Sequence, residues 1–298
     1  MNHYGNSPEL SYSQNEIINT SLLENLLARS SISSSDLVYD IGAGRGSISR
    51  VLLKRAGRVI AIEKDPRAYN ECRESIRDGR FELYLDDFLQ FKLPVNQKYK
   101  VFSNIPFFHT ADIIRKLLYN VNPPEDCYLI IQKEAAEKYA GIPVETLASL
   151  LLKPLFWIDI AYYFKNIDFR PVPAVDIVML QVEKRQFKLV PSKHYARYRD
   201  FIAFMREHSQ GTTKQALRHL FNYEQQRKLC DLLTIDIHSS PLGLRFSHYL
   251  GMFQFFMRSK RAGTSIVNGA ERRIRKNDDQ HSKIHRTDPR NIVGSLPK

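Results

Sequence analysis

Apolar residues along this chain switch between a helical period and short strand-like runs. Over residues 16–27 they recur as Ile17, Ile18, Leu22, Leu23, Leu26 and Leu27, which predicts a helix ended by a serine-rich loop at 30–35. Leu37-Val38-Tyr39-Asp40-Ile41 then reads as a strand, Gly42-Ala43-Gly44-Arg45-Gly46 as a glycine turn, and 47–56 as a helix carried by Ile48, Val51, Leu52 and Leu53. Val59-Ile60-Ala61-Ile62 is wholly apolar and ends in Glu63, as expected of a strand covered on both faces. Further strands are expected at 81–85, 100–103, 127–132, 157–164 and 175–183, with helices over 66–78, 112–119, 134–139 and 143–152.

Strand, glycine loop, helix and strand in succession open a doubly wound α/β sheet. After Lys188 the strand patterns stop. Four helical segments rich in Arg, Lys and aromatics follow, at 195–206, 213–221, 224–233 and 248–257. The expected layout is an α/β domain over 1–186, a small all-helical domain over 187–260, and a polar tail over 261–298. The tail carries nine Lys/Arg against four Asp/Glu and few large apolar residues, which predicts a basic disordered segment that could tether RNA.

Composition narrows the partners. The chain has 298 residues and a formal net charge of +12, an excess that points to nucleic acid or an anionic surface. Cys72, Cys127 and Cys230 are far apart and odd in number, so no disulfide framework is expected and a reducing, cytoplasmic setting is. No histidine has metal-ligand spacing; His281 and His285 sit in the polar tail as a solvated pair. Residues 1–16 are polar, with no apolar signal core. The most apolar stretch, 147–164, is interrupted by Lys153, Pro154 and Asp159, so it reads as a helix end and a strand rather than a membrane span.

In an open parallel sheet the ligand lies beyond the carboxyl ends of the strands. Those ends carry Gly42–Gly46, Glu63, Asp87 and Asn104. Glycines let a backbone approach a ligand closely. Glu63, 21 residues after Gly42, suits the two hydroxyls of a ribose, and Asp87 suits an adenine amino group. The sixth position of a dinucleotide fingerprint is Ser47, and no Gly-Lys-Ser/Thr of a phosphate loop is present. S-adenosylmethionine, an adenosine without phosphates, fits the remaining set. Acids also cap strands and helices, and Asn104-Ile105-Pro106-Phe107 taken alone is ordinary turn chemistry. Their joint order on successive strands favours the ligand reading.

The ordered motifs Ser13-Gln14-Asn15, Asp40-Ile41-Gly42-Ala43-Gly44-Arg45-Gly46, Ala61-Ile62-Glu63, Asp86-Asp87-Phe88, Ser103-Asn104-Ile105-Pro106-Phe107 and Phe169-Arg170-Pro171-Val172-Pro173 carry a resemblance. Over about residues 10–260 the chain resembles the ribosomal RNA adenine N6-methyltransferases, and within them the Erm erythromycin-resistance group. The resemblance implies a Rossmann-like S-adenosylmethionine-dependent sheet with a helical RNA-binding domain. It implies that Asn15 and the backbone near Ile17 hold the methionine end of the cofactor, Gly42 faces it, Glu63 its ribose and Asp87 its adenine. Asn104 would touch both cofactor and target base. Asn104 and the Pro106 carbonyl would accept from the target amine, while Phe107 stacks on the ring and Phe169 clamps it; plain core packing is the alternative for Phe169. Two positions depart from the common pattern: Glu16 where Phe is usual, and Phe107 where Tyr is commoner.

The implied partner is 23S ribosomal RNA, nascent or not yet assembled into the ribosome, bound by a monomer that has no membrane partner. Arg45, Lys133 and Lys138 are candidate backbone contacts near the site. The implied outcome is resistance to macrolide, lincosamide and streptogramin B antibiotics. A small-subunit (16S) dimethyladenosine transferase would share the chemistry. A DNA adenine methyltransferase would prefer Pro where Ile105 stands. A non-catalytic binding factor on the same fold would not need Asn104, Glu63 and Asp87 intact.

Overall fold

The computed structural model describes residues 15–259 and 264–273. Residues 1–14, with Ser13 and Gln14, and residues 260–263 and 274–298, with His281 and His285, lie outside the described residues. The described residues divide into two compact units, one formed by residues 15–140 with Phe156–Gln186, the other by Gly141–Leu155 with residues 187–259 and 264–273.

The first unit runs β1 (Glu16–Ile17), α1 (Thr20–Arg29), β2 (Leu37–Ile41), α2 (Ser47–Leu52), β3 (Arg58–Glu63), α3 (Pro66–Ser75), β4 (Phe81–Leu85) and β5 (Lys100–Asn104). It continues through α4 (Thr110–Leu118), β6 (Asp126–Gln132) and α5 (Lys133–Ala140). After α6 (Leu147–Leu152), which belongs to the second unit, it resumes with β7 (Phe156–Tyr163), β8 (Phe169–Arg170) and β9 (Ile177–Lys184). Seven strands form one sheet in the order β4-β3-β2-β5-β6-β9-β7. The first five are parallel, and β9 and β7 close one edge antiparallel. This is the Rossmann-like α/β sheet expected from the strand patterns.

Every residue of β2 is buried, which is why its sequence shows no in–out alternation. Leu23, Leu26 and Leu27 of α1 and Val51 and Leu52 of α2 pack with Val38, Val59, Phe102 and Ile130 of the sheet in one core. Asp65 caps α3 through Arg67 N and Ala68 N, with Pro66 at the first helical position, where its missing N–H removes no bond.

The helix expected over 16–27 begins later. Glu16 and Ile17 are a strand that pairs antiparallel with Arg170 and Phe169. Asn19 accepts from Leu22 N as the N-cap of α1, and its own amide donates to Asp168 Oδ1 at 2.9 Å. A residue held from both sides in this way starts the helix after itself.

The second unit is helical: α7 (Ser192–Glu207), α8 (Thr213–Leu217), α9 (Tyr223–Leu233), α10 (Phe246–Arg258) and α11 (Thr264–Val267) join α6 around Tyr198, Phe201, Phe204, Tyr249 and Phe256. Two boundaries differ from the sequence reading. Residues 141–155, placed there in the first domain, fold with the helices: Leu150 and Leu151 enter their core, and Tyr198 Oη donates to Leu150 O at 2.7 Å. The expected helix over 143–152 starts only at Leu147, where Thr146 and Ser149 form a capping box. Residues 264–273, read there as part of a disordered tail, are ordered. Val267 and Ala270 are buried against α7, and Asp200 accepts from the backbone of Gly269 and Glu271 at 3.0 and 3.1 Å.

Candidate active site

The chain passes from β2 to β3 and β4 on one side, then returns to place β5 on the other side of β2. That reversal opens a crevice at the carboxyl ends of β2 and β5, where Gly42 and Asn104 stand. The turn after β2 takes Gly42, Gly44 and Gly46 through positive φ. Gly46 is also held by space. A Cβ there would lie 2.7 Å from Ile76 Cδ1 and 2.8 Å from Cys72 Sγ.

The glycine turn is tied to the end of β3. Gly42 N donates to Ile62 O at 2.8 Å, and Gly44 N donates to Glu63 Oε2 at 2.7 Å. Glu63 Oε1 accepts from Lys64 N and Asp65 N, both at 2.8 Å. A carboxylate offers about four acceptor positions. Three on Glu63 are taken internally, so one remains on Oε2 for a ligand, rather than the two that a ribose diol would use.

Gly42, Glu63, Asp87, Pro106 and His109 line one cleft. Asp87 Oδ1 accepts from Leu89 N at 2.9 Å, and its Oδ2 pairs with Lys64 Nζ at 2.8 Å. The Lys64 bond, followed by the Leu89 N–H, holds the Asp87 carboxyl below its ordinary range, so it stays an acceptor.

Asn104 forms an adjoining group. Its Nδ2 donates to Asn15 O at 2.8 Å, while its Oδ1 is buried with no protein partner. A buried acceptor without a donor costs about 1–3 kcal/mol, and a ligand N–H would recover it. Phe107 is half-buried against the first unit's core. Pro106 O accepts from His109 N at 3.0 Å in the turn that follows, which leaves it one lone pair.

Two expected residues have buried side chains. Ile17 is a core residue at 4% exposure, opposite Phe169 in the β1–β8 pair and two residues from the Asn15 carbonyl that meets Asn104. Phe169 is 1% exposed and meets Phe164 edge-on at 5.3 Å, so it has no face free to clamp a ring in this conformation. Of the basic candidates, Arg45 pairs with Glu71 at 2.7 Å and Lys133 with Asp176 at 3.4 Å.

Sequence reasoning passed over Lys64, His109 and the polar layer under the glycine turn. In that layer Ser49 Oγ donates to Asp40 Oδ2 at 2.7 Å, and Ser103 Oγ donates to Ile41 O at 2.6 Å. Burial pushes the Asp40 carboxyl up to about 7, against the hydrogen bonds of Ser49 and Ser103. Burial likewise pushes the Cys72 thiol up to about 12, so it is an inert packing residue. The available signals were position alone: Lys64 directly after the acid of β3, Asp40 directly before the glycine turn.

A family model described as "Ribosomal RNA adenine dimethylase" matches residues 5–257. An rRNA adenine N-6-methyltransferase of Bacillus licheniformis is 28% identical, over 78% of this chain and 81% of the relative. A ribosomal RNA small subunit methyltransferase A of Mycoplasmopsis pulmonis is 26% identical, over 81% of this chain and 96% of the relative. The crystal structure of the 23S rRNA methyltransferase ErmE shares the fold, with a TM-score of 0.76 at 21% identity, over 82% of this chain and 100% of that one.

Proposed function

The chain belongs to the ribosomal RNA adenine dimethylase family, and from that premise we propose that it methylates N6 of one adenine in 23S ribosomal RNA, giving resistance to macrolide, lincosamide and streptogramin B antibiotics. It is an S-adenosylmethionine-dependent methyltransferase of ribosomal RNA. The observation that carries the reading is the buried, unpartnered Asn104 Oδ1 beside a cleft lined by Gly42, Glu63 and Asp87.

The donor set fits S-adenosylmethionine. Glu63 and Asp87 keep acceptor positions for a hydroxyl and an amino group, the glycine turn brings backbone close, and no phosphate-binding lysine loop is needed. Bound there, the cofactor supplies an electrophilic methyl group on a positively charged sulfur. The exocyclic amine of adenine is a weak nucleophile because its lone pair is delocalised into the ring. It is also inaccessible in a duplex, so the base must leave the stack. Asn104 Oδ1 and the second lone pair of Pro106 O would accept its two N–H bonds. Two acceptors on one nitrogen favour pyramidal geometry and free the lone pair for attack. Phe107 would support the ring face, without the hydroxyl that Tyr would add. Positioning supplies most of the rate, and the alkylated amine loses its proton afterwards to water.

The wording Asn104-Ile105-Pro106-Phe107 and the basic tail support the 23S reading, with the protein acting as a monomer. Among the described residues no helix is long and apolar enough to cross a membrane. A small-subunit adenine is the second reading, favoured by the Mycoplasmopsis relative that aligns over 96% of its own length. Expression in a macrolide-sensitive bacterium, with mapping of methylated adenines in both ribosomal RNAs, tests the two. Resistance with a modified 23S adenine supports the proposal. Modification confined to 16S RNA replaces it with the second reading.

A further inference from the structure

Phe108 follows directly after the ring proposed to support the target base, yet it is 91% exposed. Single exposed apolar residues are common on protein surfaces, so exposure alone carries nothing. Its backbone is what sets it apart. Phe108 is the middle residue of a one-turn 3₁₀ helix, Phe107–His109. His109 N donates to Pro106 O at 3.0 Å, and Thr110 Oγ1 donates to Phe107 O at 2.9 Å, so both ends of the turn are closed. The His109 ring meets the Phe108 ring edge-on, with centroids 5.4 Å apart and planes at 89°. Pro106, which precedes this turn, and His109, its last residue, both line the cleft. A flat aromatic is thus held in water on a stiff turn beside the cleft.

We propose that Phe108 is a positioning residue that stacks on an unpaired RNA base next to the target adenine; the inference rests on the ribosomal RNA reading above. Extruding one base leaves its neighbour with an uncovered face. Any base presents a π-face, so an aromatic side chain can cover it whatever the sequence. A ring on a closed turn loses little freedom when it stacks, which long flexible side chains cannot match. The net charge of +12 brings the polyanion to the surface, and the ring then fixes where the strand lies. Phe107, half-buried against the core, cannot serve the neighbouring base as well.

The test compares the full-length protein with Phe108→Ala and Phe108→Tyr, using protein-free ribosomal RNA and radiolabelled S-adenosylmethionine. A second probe is an RNA hairpin around the methylated adenine with 2-aminopurine as its neighbour. Phe108→Ala is expected to raise the KM for RNA about tenfold, to abolish quenching of the 2-aminopurine, and to leave cofactor affinity unchanged. Phe108→Tyr is expected to restore both RNA readouts. Wild-type KM and wild-type quenching in Phe108→Ala would overturn the inference while leaving the ribosomal RNA reading intact. A wild-type protein that binds S-adenosylmethionine but methylates neither ribosomal RNA would overturn both.

Discussion

The side-chain amide of Asn104 donates to the backbone carbonyl of Asn15 at 2.8 Å, joining positions 89 residues apart. The bond decides which end of the amide is spent on the protein and which is left over. Nδ2 is used, and the buried Oδ1 is free to accept. Asn15 was expected to serve the cofactor; here its carbonyl orients the residue expected to hold the target amine.

Asn104→Ala removes both ends, and Asn104→Asp replaces the donor with a second acceptor facing a carbonyl. Both variants are expected to bind S-adenosylmethionine within about tenfold of wild type and to lose at least about 100-fold in single-turnover methyl transfer, the scale set by misplacing a reacting group. Calorimetric titration and single-turnover rates read the two separately. Wild-type turnover in either variant would remove Asn104 from the chemistry.

Asp40 gives a pH prediction with a definite sign. Its side chain is 1% exposed, and the native carboxyl keeps its proton up to about pH 7. The unfolded chain releases that proton near pH 4, roughly the ordinary aspartate value. Between the two the native state binds more protons, so this group's contribution falls as pH rises and levels off above the native value. The full loss is at most roughly 4 kcal/mol. Asp40→Asn, which cannot ionise, is expected to gain stability relative to wild type between pH 5 and pH 8. Urea unfolding of both proteins at both pH values reads the difference, and an identical difference at the two values would refute the assignment.

What was legible in the sequence, and what was not, divides by the range of the interactions. The parallel strands announced themselves because β2, β3 and β6 are largely apolar runs, and the strand ends carried the chemistry: Gly42, Glu63 and Asp87 do share one cleft. The misreadings came from partners distant in sequence. Ile17 and Ile18 carry a helical spacing, but Glu16 and Ile17 pair with Arg170 and Phe169. The same pair buries Phe169, which no local pattern reveals. Residues 141–155 look continuous with the sheet domain and pack instead around Tyr198 and Phe201. Glu63 was read as an open acceptor because the three backbone N–H groups that occupy it depend on the turn geometry.

Gly44 and Gly46 are both left-handed, with φ of 56° and 82°, but their surroundings differ. At Gly44 a Cβ would make only an ordinary 3.4 Å contact with Glu16 Oε1, so Gly44→Ala should cost about 1–2 kcal/mol of backbone strain. At Gly46 the same strain is joined by overlap with Ile76 and Cys72, both buried. Overpacking adds roughly 1–3 kcal/mol. Chemical denaturation should therefore rank Gly46→Ala below Gly44→Ala, and the reverse order would contradict the packing described around α3.

The segment 264–273 is expected to be part of the helical fold rather than the start of a free tail. Val267 and Ala270 are fully buried, and α11 lies against α7. Arg199 pairs with the Glu271 side chain, and the Asp200 carboxylate accepts from two backbone N–H groups, those of Gly269 and Glu271. Ending the chain at residue 263 would uncover the apolar surface beneath Val267 and strip Asp200 of those two donors. Burying a valine is worth about 1.5 kcal/mol or more, and each charged hydrogen bond a further 1.5–3 kcal/mol or so. A protein of residues 1–263 should accordingly be about 4–7 kcal/mol less stable than one of residues 1–273 in urea unfolding followed by helical circular dichroism. Asp200→Ala in the longer protein should reproduce part of that loss, because it removes the acceptor and leaves the apolar contacts. In the shorter protein the same substitution should cost much less, since its two partners are already gone. Equal stability of the two lengths would mean that α7 does not depend on this segment.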